Sequence, residues 1–138
     1  MPRHDIYHDT VKTALVKDGW TITHDSFALP FGLHNLYVDL GAEQMLAAEK
    51  DGKQIAVEVK SFLGRSEVVD LEHALGQYLL YRSLLQRRHL ERTLYLAIPM
   101  NAFNGIFSAE LGRVAREDYT LKLVVFDPVQ EVIEQWLT

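Results

Sequence analysis

One stretch constrains the fold of this chain more than any other: Gln54-Ile55-Ala56-Val57-Glu58-Val59-Lys60, which follows Asp51-Gly52. Successive side chains of a strand point to opposite faces, so strict alternation is its signature. Ile55, Val57 and Val59 fall on one face, and Ala56, Glu58 and Lys60 on the other. An Asp-Gly pair between two strand-like runs is a strong hairpin signal, because a tight two-residue turn needs positive φ at both central positions. The run before it, Met45-Leu46-Ala47-Ala48-Glu49-Lys50, supplies the antiparallel partner. The hairpin therefore sets a carboxylate and an ammonium side by side on one face of a strand.

Helical spacing of Ile6, Thr10, Val11, Ala14 and Leu15 predicts a helix over Asp5 to Lys17, begun by Asp5 and stopped by Gly19. Trp20 to Thr23 alternates as a strand does, and Ser26 to Asn35, with Pro30 and Gly32, reads as a loop. Leu36 to Leu40 is an apolar run with Asp39 inside it. Ser66 to Gln86 has helical periodicity in Val69, Leu71 or Glu72, Ala74, Leu75, Tyr78, Leu79 and Leu85. Leu94 to Pro99 and Leu121 to Phe126 read as buried strands, Ala102 to Glu117 as a helix, and Gln130 to Leu137 as a short helix or an edge strand. Hairpins come first and crossovers later, which predicts an α/β (α+β) chain with a mixed sheet flanked by helices.

No repeat, linker or low-complexity segment interrupts the 138 residues, so one domain over 1–138 is expected. With no cysteine, disulfides and thiolate metal sites are excluded, and a metal would need oxygen or imidazole donors. The opening MPRHDIYHDTVK lacks the apolar run of a signal peptide, and no stretch approaches a membrane span. A cytoplasmic protein without membrane association is expected. The net charge of −5 argues against a general electrostatic coating of DNA, although a local basic stripe can still meet phosphates.

Asp39 and Glu58 are a pair of carboxylates suited to Mg²⁺ or Mn²⁺, with the Val59 carbonyl between Glu58 and Lys60 as a further oxygen donor. Such a metal activates water and neutralises charge on a phosphodiester. Lys60, on the face of Glu58, is placed to orient the water or stabilise the developing charge. Gln77 and Tyr81 follow at one-turn spacing on a helix. By itself a Glu-x-Lys pair on a strand is also the pattern of a solvated surface pair; the second acid, the hairpin and the following helix favour a site.

Tyr37-Val38-Asp39 followed by Ile55 to Phe62 resembles the PD-(D/E)xK motif of restriction endonucleases and Holliday-junction resolvases, with Val38 where the motif has proline. Gly76-Gln77-Tyr78-Leu79-Leu80-Tyr81 resembles the Q-x-x-x-Y motif of RecB-like nucleases in that superfamily. Nearly the whole chain, through Lys17 to Asp25, Asp39 to Glu43, Ala47 to Lys50 and Asp127-Pro128, resembles the XisH family, the cyanobacterial controlling factors of fdxN element excision. That resemblance implies a restriction-endonuclease-like fold and a role in programmed DNA excision beside a site-specific recombinase and a small XisI-type partner protein. It puts Asp39 and Glu58 as metal ligands, Lys60 as the catalytic lysine and Gln77 as a helper. A controlling factor need not cut, so a non-catalytic DNA- or protein-binding accessory that keeps the nuclease fold is the alternative.

Other residues stay open between two readings. Glu49 is an extra ligand or a replacement for Asp39, or else the cross-strand partner of a lysine. Asp9 is an auxiliary acid on the first helix, or else surface charge. His4 and His8 have zinc-like spacing at the N-terminus, where the pair is more simply incidental. Arg82, Arg87, Arg88 and Arg92 meet phosphates or solvate a helix end. Trp20, Tyr37, Phe62 and Trp136 read as core or interface aromatics. A homodimer is expected, in keeping with two-fold symmetric duplex DNA, and the Leu75 to Leu85 helix is a candidate interface.

Overall fold

The computed structural model describes residues 5–27, 30–31, 34–35, 45–88 and 91–138, with backbone pairing alone for 30–31 and 34–35. In chain order the elements are α1 (His8–Lys17), β1 (Thr21–Phe27), β2 (Pro30–Phe31), β3 (His34–Asn35), β4 (Met45–Lys50), β5 (Lys53–Val59), α2 (Glu67–Arg88), β6 (Arg92–Pro99), α3 (Met100–Asn104), α4 (Glu110–Asp118), β7 (Leu123–Asp127) and β8 (Val132–Leu137). Six strands form one sheet in the order β1-β4-β5-β6-β7-β8, and β2 pairs with β3 separately. β5, β6 and β7 run parallel, while β1, β4 and β8 join antiparallel. Helices intervene between β5 and β6 and between β6 and β7, as parallel neighbours require. The mixed sheet flanked by helices is the architecture that the sequence predicts.

The hairpin forms as expected. Asp51 and Gly52 take φ of 52° and 80°, and Glu49 pairs with Gln54 across it. The alternation of β5 divides the core. Ile55, Val57 and Val59 pack with Val11 and Leu15 of α1 and with Val124 and Phe126 of β7. Ala56 lies on the opposite face with Leu71, Ala74, Tyr78, Tyr81 and Leu85 of α2. Glu58 and Lys60 share that second face by the strand's period of two.

The helix ends follow local chemistry. The Asp5 carboxylate accepts from Tyr7 N at 2.9 Å, and α1 proper starts at His8, three residues after Asp5. Ile6 is not part of the apolar stripe: it is 74% exposed, and His8 takes its place in the buried face. Gly19, at φ 95°, closes the helix while Trp20 N donates to Leu15 O. Ser66 Oγ accepts from Val69 N at the start of α2. Val69 is exposed, so the stripe on α2 runs through Leu71, Ala74, Tyr78, Tyr81 and Leu85 instead.

Two sequence expectations are corrected, and one left open is resolved. Ser26 to Asn35 is not one loop: β1 runs on to Phe27, and Pro30–Phe31 pairs with His34–Asn35. Ala102 to Glu117 is two helices, because the chain turns at Gly105 and buries Phe107 against Phe62, ring centroids 5.2 Å apart. Gly112 then seats α4 on that turn, where a Cβ would lie 2.0 Å from the Ile106 carbonyl oxygen. Gln130 to Leu137 resolves in favour of an edge strand, β8. No helix among the described residues is long and apolar enough to cross a membrane.

Candidate functional site

Glu58 is the penultimate residue of β5 and is 1% exposed. A carboxylate so placed needs compensation by donors or cations, since burial of a lone charge costs several kcal/mol. Its charge reaches the α2 side of the core: the Tyr78 hydroxyl is pushed above its ordinary value, chiefly by burial, and Glu58 adds to the push. Tyr78 itself donates to Leu94 O and accepts from Lys122 N.

Lys60 stands two residues on, half-buried, where the sheet meets α2. Its ammonium donates to His73 Nδ1 at 3.5 Å, a long contact. His73 Nε2 lies 3.4 Å from the Gln77 amide nitrogen. With Nδ1 accepting, the imidazole proton is on Nε2, so the Gln77 amide bonds best when turned to offer its oxygen. Gln77 is 6% exposed, Tyr81 one turn on is buried, and His73 is open to solvent. One side of α2 therefore brings an imidazole and an amide to the lysine that follows the buried acid. The structure brings Lys60 and Gln77 together through His73, which sequence reasoning passed over among scattered histidines. The i,i+4 spacing of His73 and Gln77 was the available signal.

A second residue missed is Asp5. Its Oδ2 accepts from Ser61 N at 2.9 Å, which ties the lead-in of α1 to the chain just past Lys60. The helix acid near this strand end is thus Asp5, whereas Asp9 is exposed and lies elsewhere. Lys60 N donates to Ala97 O on the β6 side. Successive carbonyls of a strand alternate in direction, so the Val59 carbonyl points to the opposite flank, towards β4. A buried carboxylate with a neighbouring carbonyl is an all-oxygen donor set, which suits a hard divalent cation such as Mg²⁺ or Mn²⁺. Asp39 and Val38 lie outside the described residues, as does Tyr37.

Glu49 does not join this end. It pairs with Gln54, four residues back along β5 from Glu58, a separation of about 13 Å at the usual strand rise. His8, Asp9 and Asp25 form a different group, with ligand atoms within 4.8 Å of one another. There His8 Nε2 is 2.7 Å from Asp25 Oδ1, and Lys12 Nζ donates to Asp25 Oδ2 at 2.7 Å. An ammonium already sits where a cation would go. Burial pushes the Asp25 carboxyl up, but the bonds and charges of Lys12 and His8 outweigh it and hold it below the usual range. His4 lies outside the described residues, and His8 serves this carboxylate.

The basic run is partly structural. Arg82 donates to the carbonyls of Tyr119 and Thr120, and Arg92 to that of Ile55. Arg87 and Arg88 are exposed in the last turn of α2, where cations offset the helix dipole. Phe62 is a core ring, and Trp20 and Trp136 pack together at 5.5 Å.

Residues 1–134 match the family described as XisH protein. The chain belongs to the XisH family. An XisH family protein from Nostoc punctiforme is 41% identical, with a TM-score of 0.88 over 97% of this chain and all of that one. A FdxN element excision controlling factor protein from Anabaena variabilis is 40% identical, with a TM-score of 0.88 over 98% of this chain and all of that one. No curated protein matches. These relatives support a role for the chain in the control of excision.

Proposed function

We propose that this XisH family member is a metal-dependent DNA phosphodiesterase of the PD-(D/E)xK type, used in the control of DNA-element excision. The observation that supports it is the placement of Glu58 and Lys60 on one face at the C-terminal end of β5, with Lys60 in contact with His73 and, through it, Gln77. Asp39, Glu58 and the Val59 carbonyl would hold Mg²⁺ or Mn²⁺. When bound, that ion lowers the pKa of a water and neutralises charge on the phosphodiester. Lys60 orients the attacking water or stabilises the charge that develops on phosphate. Gln77 acts through His73 to position Lys60. Water forms a bond to phosphorus, one ester P–O bond breaks, and the leaving oxygen takes up a proton. In the cell this reading places the protein in the cytoplasm, as a homodimer on duplex DNA, beside an XisI-type partner and a site-specific recombinase. The test is Glu58→Ala: Mg²⁺-dependent cleavage should vanish while the far-UV signal of the fold remains. Equal cleavage by both proteins would remove the proposal.

A second reading keeps the fold without the chemistry, as an accessory that binds DNA or protein. The net charge of −5 and the words "controlling factor" in the name of the Anabaena variabilis relative favour it. Thermal melting with Mn²⁺ separates the two. A bound ion stabilises by about 2.7 kcal/mol at a hundredfold excess over Kd; no shift at millimolar metal favours the accessory.

A further inference from the structure

A cavity lies at the other end of the sheet. It occupies about 710 Å³ where β5, β6 and β7 begin, among Trp20, Tyr95, Trp136, Lys50, Lys53 and Lys122. Its apolar wall is three aromatic rings in contact. Trp136 stands 5.5 Å from Trp20 and 4.9 Å from Tyr95, the latter pair edge to face. All three are half-buried and line the cavity. The rings are held in place. The Asp18 carboxylate accepts from both indole N–H groups, at 3.2 Å and 3.3 Å. Lys50 donates to the Asp18 carbonyl and lies 6.0 Å over the Trp20 ring.

The polar wall carries Lys50, Lys53 and Lys122 beside Asp18, Asp51 and Glu91; Asp18 serves the indoles, Lys50 the Asp18 carbonyl, and Asp51, Lys53 and Glu91 are exposed. Lys53 and Lys122 enter no ion pair among the described residues. Thr93 and Lys122 also wall a second cavity of about 220 Å³, on the α2 side, which holds Arg82 and Arg92 and, among the described residues, no acid. Each of these guanidiniums gives one terminal nitrogen to backbone carbonyls and keeps further N–H donors. An aromatic platform thus adjoins a cationic recess, with Lys122 common to both.

We propose that this end of the molecule binds a nucleotide, its base on the Trp20–Tyr95–Trp136 platform and its phosphate at Lys53 and Lys122, with the Arg82–Arg92 recess for the next phosphate. A flat ring with a nearby anion is the ligand that stacking surfaces and cations recognise together. The cavity is of the size that small ligands fill. Two phosphate positions favour a single strand over a free mononucleotide. The site is separate from the Glu58–Lys60 end and does not depend on the reading of that end.

The test is fluorescence anisotropy of a labelled DNA single strand of about twelve nucleotides, titrated with the full chain in EDTA at about 50 mM salt. Saturable binding is expected, with a slope of log affinity against log salt near −1.4 for two neutralised phosphates at about 0.7 each. Trp136→Leu should weaken it by roughly 5- to 150-fold, the range of one stacked base, and Lys122→Glu should weaken it and flatten the salt slope. Should Trp136→Leu fail to fold, Lys53→Glu with Lys122→Glu decides. Competition by dAMP at the strand's own concentration range identifies a free nucleotide as the ligand; a need for far higher dAMP identifies the strand. No binding at low salt, or equal binding by wild type and Lys122→Glu, overturns the proposal.

Discussion

The two ends of β5 invite comparison. At its C-terminal end the strand is covered by α2, and the polar groups Glu58 and Gln77 are almost wholly out of solvent. At its N-terminal end the sheet is open, and Lys53 and the rings of Trp20, Tyr95 and Trp136 border a wide cavity. Burial raises the energetic stake of every hydrogen bond and charge, so the covered end suits chemistry on a fixed geometry. The open end suits a ligand held by area and by charge. One strand therefore carries two kinds of surface, set by what the helices cover.

The largest effect should sharpen this contrast. Lys60→Ala is expected to lower metal-dependent cleavage by at least about 100-fold, the scale of losing a charge-stabilising donor, measured by single-turnover cleavage of duplex DNA. His73→Ala should cost less, roughly 10-fold or more, as an orienting contact does, and should act on turnover more than on DNA affinity. Loss of affinity alone would place His73 in the binding surface. Asp18→Ala tests the opposite end. It removes the acceptor of two indoles and should lower stability by about 1–3 kcal/mol in urea denaturation, with cleavage by the folded protein kept. The smallest effect belongs to neither end. Asp25, held below its ordinary value, adds stability that is complete above about 3.8. That stability is lost as pH falls through the lower folded value. Asp25→Asn should therefore melt earlier than wild type at pH 7, with the gap closing in strong acid; a gap independent of pH would discount the ion pair.

Much of the fold is legible because its signals are local. The period of two in Gln54 to Lys60 and the Asp51-Gly52 turn require no knowledge of distant residues, and both stand in the structure. The same holds for Gly19 at the end of α1. The break between α3 and α4 is only partly local, marked in the sequence by Asn104-Gly105. The seat that Phe107 finds against Phe62 is the part that the sequence does not announce. The candidate site divides in the same way. Glu58, Lys60 and Gln77 stand where strand and helix spacing put them. Asp5 and His73 become neighbours of this end only through tertiary packing, 56 residues separating Asp5 from Ser61 in sequence. Asp9 stayed open in the sequence, because an acid on a helix says nothing of which way the helix docks, and the structure leaves it exposed. Asp39 lies outside the described residues.

The shared carboxylate beneath the indoles has a practical consequence. The chain has two tryptophans, and both lean on Asp18. Ultraviolet emission excited in these side chains is thus a local gauge, reporting from one corner of the molecule. A melt followed by that glow alone would register the loosening of this corner and stay silent on events around Glu58, so a second, backbone-wide probe is needed before any transition is called global.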